Sequence, residues 1–187
     1  MKDLILNILD EYLLLFDEKE RQTTFINYLN SNEEVTDWNN FNGHVVSSGF
    51  VYARQENKFL VLYHNDFKTY IYPGGHVDDC DINPLETAKR EIKEETGIDN
   101  LKLLKLSKDE LIPIDIDTHK IEYNEKLNLP QHYHFDFRYL FMVDKITDVK
   151  IDIEESSDYK WISLEELSND PNYKNVIDKI KQRIIML

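Results

Sequence analysis

One segment carries most of the structural and chemical information in this sequence: residues 73–98 read PGGHVDDCDINPLETAKREIKEETGI. Its second half has the signals of a helix. Asn83 is a suitable N-cap, Pro84 occupies the first helical position, and Gly97 is a typical stop residue. The Pro-Gly-Gly that opens the segment interrupts regular structure just before it. We therefore predict a tight turn, a short loop and one well-bounded helix over residues 84–96.

Three glutamates of this helix are spaced so that they share one side of it. At 100° per residue, Glu91, Glu94 and Glu95 fall within an arc of about 100°, beside a separate apolar arc. Carboxylates this close repel one another unless a cation neutralises them, and Mg²⁺ or Mn²⁺ is the usual solution. Arg90 can reach Glu94 one turn along the helix, and the glycine turn lets the backbone at Gly75 approach an ion. A solvated helix face is the alternative interpretation.

The segment is similar to the Nudix box, G-x5-E-x7-R-E-U-x-E-E-x-G-U, in which U is aliphatic. The residues on its defining positions are Gly75, Arg90, Glu91, Ile92, Glu94, Glu95, Gly97 and Ile98. Because this pattern is long and chemically constrained, the match is specific. The resemblance implies a Nudix-type α/β/α sandwich with a mixed sheet. It also implies a metal-dependent hydrolase that cleaves the pyrophosphate linkage of a nucleoside diphosphate joined to another moiety.

The resemblance also indicates residue roles. Mg²⁺ or Mn²⁺ is expected to be held by Gly75, Glu91, Glu94 and Glu95. Catalytic roles are expected for Arg90, Glu91 and Glu94. The base that deprotonates the attacking water stays open between a helix glutamate and the acidic loop 154–158.

The match departs from the pattern at its first glutamate. The spacing from Gly75 to Arg90 is one residue longer than in the box, and Asp81 stands where the glutamate is expected. Since every residue from Pro84 onward is in register, we predict that the extra residue bulges the loop 78–83 and leaves the helix unchanged.

The flanking sequence predicts an α/β (α+β) chain in two parts. Residues 1–40 carry apolar residues at helical spacing and are predicted to form a helical extension packed on the rest of the chain. Their apolar stripe also allows a homodimer. Residues 41–187 alternate strand and helix patterns, and the resemblance covers them through the acidic loop, Trp strand and closing helix of residues 154–167. We therefore expect an N-terminal helical extension followed by one Nudix domain.

Two further segments alternate polar and apolar residues as strands do. Residues 115–119 read DIDTH and residues 132–139 read HYHFDFRY, a pair that resembles one found in a subset of mostly uncharacterised Nudix proteins. If the two strands are neighbours, their acids can orient the histidines while Arg138 meets phosphate. Substrate-binding roles are therefore expected for His119, His132, His134, Arg138 and, in the acidic loop, Glu155. A sheet face that pairs its own charges is the alternative.

The histidines give no compact metal-ligand spacing. A zinc site built from His119, His132 and His134 is therefore not favoured. The remaining three are interpreted as surface or loop residues: His44, His64 and His76.

The composition limits the classes of function. Asp and Glu number 36 against 22 Lys and Arg in 187 residues, so the formal net charge is −14. This excess argues against binding to nucleic acid or to an anionic membrane surface. A single cysteine, Cys80, and no apolar run of about 18 residues predict a cytoplasmic protein.

Two alternative functions stay open at this point. One is a module that binds a nucleotide or ADP-ribose and has kept the fold without catalytic turnover. The complete set of three glutamates argues against this alternative. The other is an enzyme like isopentenyl-diphosphate isomerase, which needs a reactive cysteine in the pocket. Cys80 is poorly placed for this role, on an acidic loop beside the box, so this alternative is the weaker one.

Overall fold

The computed structural model describes residues 1–123, 125 and 129–185. Its helices are α1 (Lys2–Leu15), α2 (Thr23–Ser31), α3 (Pro84–Thr96), α4 (Leu164–Ser168) and α5 (Lys174–Ile185). Its strands are β1 (His44–Ala53), β2 (Lys58–His64), β3 (Thr69–Ile71), β4 (Gly74–His76), β5 (Lys102–Leu103), β6 (Asp115–Ile121), β7 (His132–Val143) and β8 (Ser156–Ser163).

Across these residues the eight strands form one mixed sheet. β1 pairs in parallel with β7 along its whole length, from His44 opposite His134 to Ala53 opposite Val143. The other pairs are antiparallel, with β4 on the first half of β1 and β6 on the far side of β7. The first half of β1 therefore lies between β4 and β7.

Side-chain alternation gives the sheet two apolar faces, each covered by helices. Phe135 and Phe137 of β7 are buried on the face that packs against α3 and the N-terminal helices. Leu140 and Met142 are buried on the opposite face, with Val176 of α5. The predicted α/β/α sandwich with a mixed sheet is confirmed.

The N-terminal helices pack on this same chain. The apolar residues of α1 from Leu4 to Leu13 are buried or half-buried, while Leu14 and Leu15 at its end are exposed. Phe25 of α2 stacks on Phe135 at 4.6 Å between ring centroids. The hydroxyl of Tyr12 lies 3.3 Å from a carboxylate oxygen of Asp115 in β6. The stripe that allowed a homodimer is thus covered by the chain's own sheet. The division at residues 40 and 41 stays a prediction.

The irregular segments differ most from the sequence-based expectation. Gly74 and Gly75, which were expected with Pro73 to interrupt regular structure, instead belong to the strand Gly74–His76, which pairs with Val46–Ser48. A side chain at Gly74 would collide with the backbone of Ser48, because its Cβ would lie 2.6 Å from the Ser48 Cα. Glycine therefore permits the close pairing here. No helix among the described residues is long and apolar enough to cross a membrane.

Candidate active site

Capping residues and the apolar pattern determine the bounds of helix α3 and which of its faces packs on the sheet. The Asn83 side chain accepts a hydrogen bond from the backbone N–H of Glu86 at 2.9 Å, and Gly97 ends the helix in the left-handed conformation with φ of 71°. Ala88 and Ile92 are fully buried against the sheet. The adjoining acidic arc consequently lies beside β4.

Two of the three helix glutamates meet the glycine turn. A Cβ on Gly75 would lie 2.6 Å from the carboxylate of Glu91, so only glycine allows this approach. The carboxylate of Glu95 accepts a hydrogen bond from the backbone N–H of Gly74 at 2.7 Å. The structure therefore brings Glu91, Glu95 and the backbone of residues 74 and 75 together.

The third glutamate lies farther out. The side chain of Glu94 is 57% exposed, against 12% for Glu91. Its carboxylate accepts a hydrogen bond from Arg90 Nη1 at 2.7 Å, as its position one turn along the helix predicted. Arg90 also lies 2.9 Å from the carboxylate of Glu91. The predicted convergence of all three acids is thus reproduced for two of them.

The buried carboxylates hold their protons more tightly than exposed ones. Burial raises the pKa of Glu91 to about 7, although Arg90 opposes the shift. Burial also raises the pKa of Glu95 to about 8, with Glu155 adding to it. Glu155, on the loop before β8, has its own pKa raised by burial and by the charges of Asp152 and Glu94. Buried carboxylates beside an open backbone turn form a hard-oxygen donor set, which fits a divalent cation.

Asp81 replaces the missing first glutamate of the box. Its carboxylate lies 2.9 Å from Arg90 Nη2 and accepts hydrogen bonds from the Asp78 N–H and the Thr87 hydroxyl. The same Arg90 nitrogen donates to the carbonyl of His76 at 2.8 Å. The loop with the extra residue thus contacts α3 and anchors Arg90 between α3 and β4. The bounds of α3 are those predicted from the sequence.

We expect Asp81→Asn to loosen this anchor. The Asp81 side chain is 4% exposed, and losing one partner of a nearly buried ion pair costs about 2 kcal/mol of unfolding free energy. Asp81→Glu is expected to recover part of the loss, because it restores a carboxylate, whereas Asp79→Asn at an exposed neighbour changes little. Urea unfolding curves of the three variants measure this. Equal stability of Asp81→Asn and Asp79→Asn would contradict the anchoring role.

Strands β6 and β7 form the opposite wall. The two strands are neighbours, which was the condition for their expected role, and they pair antiparallel with Asp115 opposite Arg138 and His119 opposite His134. Asp117 lies 3.0 Å from His119 Nδ1 and so orients that ring. Asp115 instead contacts cations outside the wall, among them Arg21 at 2.7 Å. Only one of the two acids therefore orients a histidine as expected.

Arg138 is held within a network of carboxylates. Its side chain is 4% exposed and pairs with Asp117 at 2.7 Å, Asp136 at 3.1 Å and Asp115 at 3.4 Å. Its guanidinium also lies 5.3 Å from the ring centroid of Tyr72. In this arrangement Arg138 fixes the acids of the wall, and its contact with phosphate stays a prediction.

The interpretation of His44 as a surface or loop residue is wrong, whereas His76 is exposed, as interpreted from the sequence. His44 begins β1 and is 1% exposed, while His76 ends β4. Their rings lie 4.7 and 5.4 Å from the ring of His134. The register of β1 against β7, which places His44 beside His134, brings them together, and single-strand patterns could not show it. A possible signal was the position of His76 directly after Gly75.

These imidazoles are neutral at neutral pH. Burial and the nearby His76 lower the pKa of His44 to about 4. Burial and the surrounding rings lower the pKa of His134 well below its usual range, and burial also lowers that of His76. The Nε2 of His132 lies 3.2 Å from the Nε2 of His134, so these two nitrogens share a hydrogen bond. Neutral rings leave nitrogen lone pairs available for ligation.

Both walls enclose one open cleft. The helix side contributes Gly74, Gly75, His76, Arg90 and Glu91, and the acidic loop contributes Glu154 and Glu155. The sheet side contributes His44, Asp117, His119, His132, His134, Asp136 and Arg138. The predicted site residues thus line a single cavity, except for Glu94 and Glu95, which are not among its lining residues.

Known proteins share this fold and sequence pattern. The family model described as NUDIX domain matches residues 43–184. A relative from Lactococcus lactis subsp. cremoris, named a probable DHNTP pyrophosphohydrolase, is 36% identical over 91 residues, which are 49% of this chain and half of that protein's length. An RNA pyrophosphohydrolase from Pelagibacter ubique is 31% identical over 144 residues, covering 72% of this chain and 89% of that protein. The crystal structure of a NUDIX-family hydrolase from Clostridium perfringens superposes with a TM-score of 0.56 and 25% identity, over 76% of this chain and 97% of that one.

Proposed function

The chain belongs to the NUDIX family, and we propose that it is a metal-dependent pyrophosphohydrolase acting on a nucleoside diphosphate derivative. The observation that carries this proposal is the packing of two buried carboxylates, Glu91 and Glu95, against the Gly74-Gly75 turn. A structural helix has no need for such an arrangement, because buried acids without a cation are costly.

The cation would be held by the carboxylates of α3 and the backbone of Gly75. We propose Gly75, Glu91, Glu94 and Glu95 as its ligands, with Mg²⁺ or Mn²⁺ as the ion. When bound, the ion neutralises the pyrophosphate charge and polarises the phosphorus. Arg90 acts as a positioning residue, since it contacts Glu91 and Glu94 while Asp81 anchors it.

The attacking water needs a base within reach of the cleft. Glu91 and Glu155 both line the cleft, and both have a raised pKa, caused first by burial. A carboxylate with a raised pKa accepts a proton more readily than an ordinary one. We propose that one of these two residues takes the proton of the attacking water.

The cleft favours a small ligand over a long polyanion. Among the residues that the structure describes, its lining includes thirteen Asp or Glu residues but only three Lys or Arg residues, namely Arg90, Lys120 and Arg138. A strand of RNA would meet repulsion along this surface, whereas one diphosphate arrives with its cation. Four exposed aromatic residues also line the cleft and offer faces for a planar heterocycle, namely Trp38, Phe41, Phe67 and Tyr123.

A hydrolysis screen tests the function. The panel contains nucleotide sugars, ADP-ribose, dinucleoside polyphosphates and nucleoside triphosphates. Dihydroneopterin triphosphate and 5′-triphosphorylated RNA are added because of the substrates named for the two relatives. We expect phosphate-containing products from a small substrate, only with Mg²⁺ or Mn²⁺. Turnover of RNA alone would contradict the proposed substrate class.

The screen also separates the two alternative functions. Tight nucleotide or ADP-ribose binding with no product at saturating metal would indicate a binding module. A rearranged diphosphate without release of phosphate groups would indicate an isomerase, although the free Cys80 is exposed on its loop and is not a lining residue of the cleft.

Metal binding is expected to stabilise the protein more at alkaline than at acidic pH. Glu91 and Glu95 have folded-state pKa values near 7 and 8, raised from 4.5 by burial. Their contribution to stability in the metal-free protein is therefore present below about pH 4.5 and is lost as the pH rises through about 7 to 8. A divalent cation offsets that loss, so the Mg²⁺-induced rise in Tm should be larger at about pH 8 than at about pH 5.5.

A matched variant makes this measurement specific. In Glu91→Gln one of the titrating carboxylates is absent, so the difference between the two Mg²⁺-induced Tm shifts should shrink. An equal pH dependence in the variant and the wild type would assign the effect to other acids of the chain.

Two broader expectations stay predictions. A cytoplasmic location rests on the single cysteine. A homodimer finds no support in the apolar stripe of α1, which the chain itself covers, and light scattering after size exclusion measures the oligomeric state.

A further inference from the structure

Four of the other five histidines of this chain gather around His134. They come from β1, β4, β6 and β7, and the rings nearest to His134 are those of His44, His76, His119 and His132. Within this group, His44, His76 and His134 each offer a ring nitrogen, and these three nitrogens lie within 4.8 Å of one another. Among the described residues, no other three His, Cys, Asp or Glu side chains form such a group.

His44 gives a second and independent observation. Its Nδ1 lies 3.4 Å from the carbonyl oxygen of Asn40, which can only accept, so the proton of the neutral ring resides on Nδ1. Its Nε2 then carries a lone pair, and this atom is buried without a hydrogen-bond partner. A buried polar atom left unsatisfied is costly and rare in native proteins. A ligand at Nε2 would remove this cost.

Hydrogen bonds around His132 orient the next ring. The Nδ1 of His132 lies 2.7 Å from the carbonyl oxygen of Pro130 and therefore donates to it. The Nε2 of His132 must then accept from Nε2 of His134, 3.2 Å away, which leaves the lone pair of His134 on its Nδ1. Backbone carbonyls that fix a tautomer in this way are typical partners of metal-binding histidines.

We propose that His44, His76 and His134 bind a divalent transition metal of the zinc class, at a site distinct from the carboxylate site of α3. Three imidazoles with one position left for water or for an anionic oxygen of the cleft's ligand match the donor set of an open zinc site. Tetrahedral bonds of about 2.0–2.1 Å place the ligand nitrogens about 3.4 Å apart, so the rings need to draw inward by roughly an ångström.

The donor atoms separate the two sites chemically. Mg²⁺ prefers carboxylate, carbonyl and water oxygens and has little affinity for imidazole, whereas zinc-class ions bind neutral histidine well. His76 directly follows Gly75, so β4 connects the two sites and both open into the same cleft. The proposed histidine metal site does not depend on the proposed hydrolase function. Only the suggestion that its open position contacts a substrate phosphate rests on that function.

Cobalt(II) provides a readout that is independent of activity. We would titrate the metal-free protein with Co²⁺ in excess Mg²⁺, which occupies the carboxylate site, and record the visible d–d absorption. The expected result is one equivalent of Co²⁺ with the intense spectrum of a four-coordinate ion, displaced by one equivalent of Zn²⁺. Glu91→Gln should keep this spectrum, so a failure of the carboxylate site is distinguishable from a failure of the histidine site.

Variants assign the ligands. We expect His76→Ala and His134→Ala each to weaken Co²⁺ binding by at least about 10-fold, because each removes one of three protein ligands. His64→Ala is the matched control, since His64 lies outside the group and packs on Phe67, and it should leave binding unchanged. His76 is the most exposed of the three ligands, so His76→Ala decides the question if His134→Ala fails to fold. Unchanged binding in His76→Ala, or only a weak octahedral spectrum in the wild type, would overturn the proposal.

Discussion

Glu91→Gln is expected to lower kcat/KM by about 10²-fold or more while the protein stays folded. The substitution keeps the shape of the side chain that packs against Gly75 but removes the charge that a cation requires. Loss of one carboxylate at a metal-dependent phosphoryl site removes roughly 3 kcal/mol or more of transition-state stabilisation. Steady-state kinetics on the substrate found in the screen, at saturating Mg²⁺, measures the effect, and circular dichroism reports the fold.

The same helix provides the control. Glu86 lies in the first turn of α3, is half-exposed, and pairs with Lys89 at 2.7 Å rather than facing the glycine turn. Glu86→Gln should therefore keep kcat/KM within about twofold, because exposed ion pairs on a helix contribute little. Near wild-type turnover of Glu91→Gln would remove the carboxylate site from the mechanism.

The neighbouring glutamates extend this comparison. Glu95→Gln should show a similar loss of kcat/KM, because its buried carboxylate lies at the glycine turn and accepts a hydrogen bond from the N–H of Gly74. We also expect a loss of about 10²-fold or more for Glu94→Gln if Glu94 leaves Arg90 to bind the ion, as proposed. A loss confined to Glu91 and Glu95 would restrict the metal ligands to the two glutamates that the structure already brings to the turn.

Among the variants proposed for this protein, Arg138→Met is expected to lower the free energy of unfolding most. The methionine fills a similar volume but leaves Asp115, Asp117 and Asp136 without their shared cation, and the broken ion pairs are almost fully buried. Removal of one partner from such a network costs about 3–5 kcal/mol of unfolding free energy at neutral pH. Urea unfolding at about pH 7.5, followed by tryptophan fluorescence, measures this cost.

The pH dependence separates lost charge pairing from lost packing. Burial by itself would raise the pKa of Asp117, but the hydrogen bond from His119 and the charge of Arg138 outweigh it and lower the pKa. Without Arg138 the buried carboxylate of Asp117 loses one of the interactions that offset its burial, so the penalty is present at neutral pH and decreases as Asp117 becomes protonated at lower pH. A penalty of the same size at about pH 4.5 would indicate a packing defect alone.

Arg138→Lys provides a graded companion. Lysine keeps a positive charge but cannot reproduce the planar fork that serves several carboxylates at once. We expect a stability between those of the wild type and Arg138→Met. If Arg138 also contacts substrate phosphate, KM will rise in Arg138→Lys at temperatures where the variant is fully folded.

Local chemistry explains which parts of the fold the sequence predicts well. Helix α3 has the bounds expected from Asn83, Pro84 and Gly97, because caps and breakers act within a few residues of the chain. Strand β7 follows its alternation from His132 to Val143 for the same reason. Short strands such as β4 depend on their partners, and here the Pro-Gly-Gly pattern predicted a break in regular structure rather than a strand.

What the sequence by itself determined is the helix, the acidic arc on it, and hence the family and its expected chemistry. Each of these follows from residues that are close in the chain, where spacing fixes geometry. Only the tertiary structure decided that Glu94 lies outside the buried pair, since this depends on how α3 sits on β4. It alone also decided that His44, His76 and His134 meet, because the register between distant strands is set by packing over the whole sheet and not by any local signal.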